Sequence, residues 1–538
     1  MENIEVEVKA KIGTTTYEGF LSLKVTTSDP SGIMPPVVSS APPVVSSAPP
    51  MSGMASPLGT NLAGVTYYAT QIPFLDIFKT SMPWISGDNS TWDNKQPLDL
   101  DSNSNVRSLL PGQIARTLMF RGGDRVFPTG RYIIRYEGIG TMTITGGATR
   151  VNELSQPGRD VIDVESSISL YITQTNPSNY LRNIKIVREE YEDLLIDGST
   201  YWDPLFLASL DTVSTLRFMD WGRTNNSLAS QWQDRTKVSD SRWSMDKGVP
   251  YEVMIDLANT LHLDPWICVP HLATNDFVLS LAELTRDLLS PSLNLYVEYS
   301  NEVWNSMFQQ SRDCQAQGLA LGLGTSPFQA RLNYQSRRSV EIFELFEAAY
   351  GSNHRLIRVI SSQSANPWVS EQLLSFEDTS LVCDALAIAP YFGPLVTGAN
   401  SQDILDMDFD ELIEHVKLVE LPKAAVSMKE SFGVAEGHGV DLIAYEGGQH
   451  LVGVGIHVNN DVLTSSLIAV NKDSSMEGIY SEYLDLWREN GGKLFVHFLD
   501  CESYSRWGSW GAREYQGQSN APKANALEDF ALANPKWW

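Results

Sequence analysis

Between residues 61 and 499 the chain returns eight times to a short, nearly uninterrupted apolar run: NLAGVTYY (61–68), VSTLRFMD (213–220), PWICVPH (265–271), LNLYVEYSNE (293–302), RLIRVISS (355–362), ALAIAPY (385–391), VDLIAYE (440–446) and KLFVHFL (493–499). A strand with one wet face alternates apolar and polar residues. Runs that do not alternate belong to strands covered on both faces, as in a parallel sheet under helices. Amphipathic stretches fill the intervals, among them residues 248–263, 276–289, 329–350 and 481–491. Eight alternating strand and helix units predict an α/β fold, a closed (β/α)8 TIM barrel rather than an open sheet.

Three segments break this rhythm. Residues 3–27 alternate around a Gly-Thr-Thr-Thr break and predict a β-hairpin, so residues 1–28 read as an attachment segment too short to fold alone. In residues 29–58 the unit PPVVSSA recurs among Pro, Ser and small residues, the composition of an extended, semi-rigid tether. Residues 88–195 hold long alternating runs such as GRYIIRYEGIGTMTITGG and predict an antiparallel, β-sandwich-like module inserted between the first two barrel strands. The barrel itself then comprises residues 59–87 and 196–538.

A formal net charge of −26 argues against nucleic acid or an anionic membrane surface as a partner, because phosphate binding needs a cationic face. The four cysteines are far apart with no CxxC pair, and the eight histidines form no HExxH motif. Neither a disulfide framework nor a metal site is expected, and no cofactor is called for. No run approaches the roughly 18 apolar residues of a membrane span, and MENIEVEVKAKIG lacks the apolar core of a secretion signal.

Chemistry in a barrel of this kind collects at the C-terminal ends of the strands. There the runs place Arg217, His271, Asn301 with Glu302, Tyr391, Glu446, and His497 ahead of the Trp-rich loop RWGSWGA. By the two-residue period of a strand, Glu298 points the same way as Ser300 and Glu302 but lies deeper, which suits a buried partner for Arg217. Glu302 and Glu446 come from runs four and seven, nearly opposite across the barrel. Two carboxylates facing one cleft lined with aromatic and amide groups is the equipment for cleaving a glycosidic bond.

At these residues the chain resembles the clan A glycoside hydrolases, whose barrels carry an Asn-Glu pair at the end of strand four and a second Glu at the end of strand seven. YVEYSNEVWN (296–305) and LIAYEGGQH (442–450) match that pattern. FKTSMPWI, LRFMDWGRTNN, LAIAPYFG and SYSRWGSWG extend the resemblance over residues 59–515, toward bacterial proteins labelled putative glycosidase or cellulose-binding protein. The resemblance implies a retaining β-glycoside hydrolase acting on a polysaccharide or oligosaccharide, with Glu302 as general acid/base and Glu446 as nucleophile. It further implies that Asn301 contacts a sugar hydroxyl, that His271 and Tyr391 orient the carboxylates, that Arg217 lies behind the nucleophile, and that Trp507 or Trp510 is the sugar platform. Glu302 is then expected to hold a proton in apolar surroundings, and Glu446 to stay ionised beside Arg217 and Tyr391. The alternatives are a carbohydrate-binding protein without turnover, or a depolymerase attached through residues 1–58 to a cell surface or a virion such as a phage tail. An extracellular, cell-surface or virion-associated location is expected.

Overall fold

The computed structural model describes residues 2–12, 15–25, 56–122 and 125–538, and the chain divides into two compact units, Met1–Pro49 and Pro50–Trp538. In the first, strands Glu2–Ile12 and Thr15–Val25 pair antiparallel, with Glu2 opposite Val25 and Ile12 opposite Thr15. The tether expected over residues 29–58 lies outside the described residues as far as Met54 and Ala55, and Leu58 already opens the first barrel strand.

In the second unit eight parallel strands close on themselves in chain order. They are β1 (Leu58–Asn61), β2 (Thr215–Arg217), β3 (Asp264–Val269), β4 (Leu295–Tyr299), β5 (Leu356–Ser361), β6 (Ala385–Ile388), β7 (Asp441–Ala444) and β8 (Phe495–His497). Closure is made by β1 pairing with β2 on one side, where Asn61 lies level with Arg217, and with β8 on the other, where Thr60 lies level with His497. The strands are shorter than the apolar runs that announce them. The runs continue into mouth loops that are themselves buried, as at Leu62, Val65, Val303 and Phe392.

Each strand serves two cores by alternation. Trp266, Cys268, Tyr296, Val359, Ala385, Ala387, Ile443 and Val496 fill the barrel interior. The intervening residues, including Leu216, Ile267, Val297, Ile360, Leu386, Leu442 and Phe495, pack outward against the helices. Both faces are therefore dry, which is why the sequence runs are apolar throughout. The helices expected near residues 248–263, 276–289, 329–350 and 481–491 form as Tyr251–Leu261, Asn275–Leu288, Pro327–Tyr350 and Ser475–Glu489. Thr274 and Ser326 cap two of them by accepting from the amides of Phe277 and Gln329.

Between β1 and β2 the interval holds antiparallel structure, but as one hydrogen-bonded sheet of six strands rather than two stacked sheets. Its longest strand, Arg159–Thr175, pairs along one edge with Gly140–Arg150. On its other edge it pairs first with Gly130–Glu137 and then with Ile114–Met119. A register shift between Val164 and Ile168 marks the change of partner. That irregularity lets one strand serve both halves of a bent sheet, so Tyr132, Ile134, Ile162, Val164, Ile168 and Ile172 share a single core. Asp76 ties this sheet to the chain leaving β1, accepting from the amides of Phe78 and Ile186.

Candidate active site

The site is organised around Arg217, the last residue of β2, whose side chain is 0% exposed. A guanidinium carries five N–H donors in a fixed planar fork, and all five are used. Nε and Nη2 donate to Glu298 Oε2 at 3.0 and 2.9 Å. Nη2 also donates to Asn301 Oδ1 at 2.8 Å, and Nη1 to Asn61 Oδ1 at 3.1 Å and to Glu446 Oε1 at 3.0 Å. The fork thus joins β1, β2, β4 and the end of β7. It lies over the Trp266 and Tyr445 rings, 5.5 and 5.0 Å from their centres. Glu298 is its buried counter-charge, as its deeper register implied, and Oε2 also accepts from Trp266 Nε1 at 2.9 Å.

Asn61 was not singled out from the sequence, yet it closes the ring. Its Nδ2 donates to the carbonyls of Tyr445 and His497, at 2.9 and 3.2 Å, while Oδ1 receives Arg217. Asn301 is equally committed: Oδ1 accepts from Arg217, and Nδ2 donates to Asn225 Oδ1 at 3.1 Å.

Glu446 follows β7 and is held from two sides, Oε1 by Arg217 and Oε2 by the Tyr391 hydroxyl at 3.0 Å. Glu302 reaches the mouth by a different route from the one its spacing suggested. Strand alternation stops at Tyr299, and Ser300 and Glu302 sit at φ of 60° and 41°. This is the left-handed region, which non-glycine residues enter at a cost of order 1–3 kcal/mol. The turn is fixed by Ser300 N donating to Val269 O and Asn305 N to Glu302 O, both at 2.8 Å. The Glu302 carboxyl accepts from Asn305 Nδ2 at 2.9 Å and from the Tyr445 hydroxyl at 3.3 Å, both neutral donors. Burial pushes both carboxyls up, Glu446 to about 8, against the expectation that it stays ionised whatever its neighbour carries. For Glu446 the Arg217 guanidinium is the main opposing influence and the Glu302 charge adds to the lift. For Glu302 the hydrogen bonds from Asn305 and Tyr445 oppose it, and the Arg217 charge does so less.

The remaining expected residues divide. Trp510 stands edge-on to Tyr391 at 5.9 Å and to His450 at 4.9 Å, and its Nε1 donates to Trp507 O. Gly508, at φ +125°, makes room for it, since a Cβ there would lie 2.3 Å from the indole. Trp507 is 71% exposed and its ring turns to solvent. His271 does not meet either carboxylate; its Nε2 pairs with Asp313 at 2.9 Å, so it braces helix Gln309–Ala320 instead. His497 shares the outward face of β8 with Phe495, not the mouth. It is packed against the Tyr480 hydroxyl at 3.3 Å, and burial pushes its imidazole down to about 3. His450, whose ring meets both Tyr391 and Trp510, takes the position at the mouth that His497 does not. The only early signal for it was its place at the end of AYEGGQH.

No protein-family model matches the chain, and none of the curated proteins compared with it is similar in sequence. Among solved structures it is similar to a 4-O-α-L-rhamnosyl-β-D-glucuronidase from Fusarium oxysporum 12S, at 12% identity over 61% of this chain and 65% of that one, with a TM-score of 0.37. It is similar to a GH5-4 broad specificity endoglucanase from Clostridium acetobutylicum, at 10% identity over 62% of this chain and 90% of that one, with a TM-score of 0.34. A GH26 β-mannanase from Bacteroides ovatus gives 9% identity over 59% and 78%, with a TM-score of 0.33. The chain spans just under two thirds of the length of the first of these.

Proposed function

We propose that the chain is a retaining β-glycoside hydrolase of a polysaccharide or oligosaccharide, working by double displacement with Glu446 as nucleophile and Glu302 as general acid/base. The observation that carries this reading is the unequal treatment of two carboxyls at one barrel mouth. Glu446 touches a guanidinium and a phenol, whereas Glu302 touches only an amide and a phenol. When two carboxyls so placed share one proton, it resides on the group that is not hydrogen-bonded to the cation. Glu302 is then the acid and Glu446 the ionised partner.

In the first step Glu302 gives its proton to the glycosidic oxygen while Glu446 Oε2 or Oε1 attacks the anomeric carbon. The C–O bond to the leaving group breaks and a glycosyl ester forms. In the second step Glu302, now a carboxylate, takes a proton from water, whose oxygen displaces Glu446 and restores both groups. Arg217 and Tyr391 fix the attacking carboxylate, a positioning effect that lowers the barrier without reorganisation. Trp510 is the platform candidate beside them.

Reducing-sugar release from cellulose, mixed-linkage glucan, xylan, mannan and bacterial surface polysaccharides tests the proposal, with Glu446→Ala as the blank. Release that vanishes in the variant supports it and names the substrate class. Retention of a glycan with no release from any of them assigns the site to carbohydrate recognition instead.

A further inference from the structure

A cavity of about 310 Å³ adjoins the candidate active site. It is walled by residues of the loop after β2 from Gly222 to Thr236, by Asp246, Lys247 and Val249, and by Pro270 at the end of β3. That volume is at the lower end of cavities that hold small ligands, about 300–1,000 Å³. Asn225 is the wall shared with the catalytic groups. It lines the cavity, and its Oδ1 accepts from Asn301 Nδ2 at 3.1 Å and from Gln310 Nε2 at 2.7 Å.

The cavity gathers charged side chains of both signs. Arg223, Arg235 and Lys247 line it, against Asp234 and Asp246. Most of these charges are already matched. Arg235 pairs with Glu252 at 2.8 Å, Lys247 with Asp240 at 3.5 Å, and Asp246 with Arg242 at 2.9 Å. Asp234 accepts from the Gln231 amide at 2.8 Å. Arg223 is the exception: no carboxylate among the described residues forms an ion pair with it, and Asp220 feels its charge only at a distance. The chain nonetheless holds Arg223 at φ 51°. Gly248 keeps its stem in place, since a Cβ there would come 2.8 Å from Arg223 Cγ. A second donor is also unclaimed, for the buried Nε of Arg235 has no partner among the described residues. A strained backbone carrying one unmatched guanidinium, in a cavity also lined by the residue with the orphaned N–H, suits a ligand bearing a single planar anion.

We infer that this cavity is a second sugar subsite for a carboxylate-bearing unit, a uronic acid residue of the glycan whose neighbouring bond lies in the cleft, with Arg223 as its counter-charge. The inference rests on the proposed hydrolase reading for its place on the substrate, but its test is a binding measurement. The Glu446→Ala protein is titrated calorimetrically with glucuronic- and galacturonic-acid-containing oligosaccharides and with each one's carboxyl-reduced counterpart. A preference for the acid form of about tenfold is expected, the size of one charge-assisted hydrogen-bonded pair. Adding Arg223→Gln brings the ratio to about one, and Arg223→Lys restores part of it.

Equal affinity for acid and reduced forms overturns the subsite, even where the unmutated protein hydrolyses a neutral glycan and the hydrolase reading stands. Binding of no uronate overturns it as well. An Arg223-dependent preference in a protein that hydrolyses nothing keeps the subsite and removes the hydrolase reading. Arg223 is exposed, so both substitutions leave the cores untouched.

Discussion

Replacing Arg217 by Lys keeps the charge and removes the fork, which isolates what the geometry contributes. Arg217 makes five hydrogen bonds to four residues on three other strand ends. An ammonium has three donors radiating from one atom, so at least two of those bonds are lost with their acceptors still buried. Each unsatisfied buried partner costs about 1–3 kcal/mol, giving about 2–6 kcal/mol in all. Urea unfolding followed by tryptophan fluorescence reads that cost. The same change weakens the influence that most opposes the lift on Glu446. Its folded carboxyl pKa therefore rises, and the acid limb of the kcat/KM profile moves to higher pH. An Arg217→Lys protein that unfolds within about 0.5 kcal/mol of the parent, the range of an ordinary surface change, with its acid limb unmoved, refutes the reasoning.

Three further outcomes follow from the same contacts. Tyr391→Phe deletes the donor to Glu446 Oε2, and about 1–3 kcal/mol for an abandoned buried oxygen appears as a roughly 10- to 100-fold loss of kcat; the acid limb shifts upward, and an unchanged profile contradicts the assignment. His497 is held at about 3 against the ordinary 6.5 of an exposed imidazole, so the unfolded chain binds more protons between those values. Its contribution to stability is complete above about 6.5 and is lost as pH falls toward about 3, and His497→Phe flattens that part of the stability-pH curve. Trp510→Ala, which removes contacts to Tyr391, His450 and Phe498, lowers both kcat/KM and the melting temperature, whereas Trp507→Ala leaves the melting temperature close to that of the parent.

The barrel was legible because parallel strands covered on both faces cannot hide their composition, and helices between them keep their own period. Strand ends were not, because apolar runs pass through β1, β4 and β6 into loops that are buried too. Arg217, Glu298, Tyr391 and Glu446 could be read from strand position and pairing logic. Asn61 could not, since its partners Tyr445 and His497 are 384 and 436 residues away, and a lone Asn in an apolar run announces nothing. His497 is expected at the mouth, yet it shares the parity of Phe495, which packs outward. For Glu302 the alternation ran out one residue after Tyr299, where positive φ values redirect the chain, and nothing local in SNE marks that turn. The bent sheet was read as two layers because alternation reports which residues are buried, not where one strand changes partner.

The central claim is that Glu446 attacks and Glu302 supplies and recovers the proton. Proton NMR of the reducing ends in the first minutes of hydrolysis, on whichever glycan is cleaved, tests it most directly, with Glu446→Ala and Glu302→Gln alongside. With Glu446 as nucleophile the β-anomer appears first and relaxes to the equilibrium mixture, and neither variant gives signal above a sample without protein. The α-anomer appearing first, or full turnover in either variant, contradicts it.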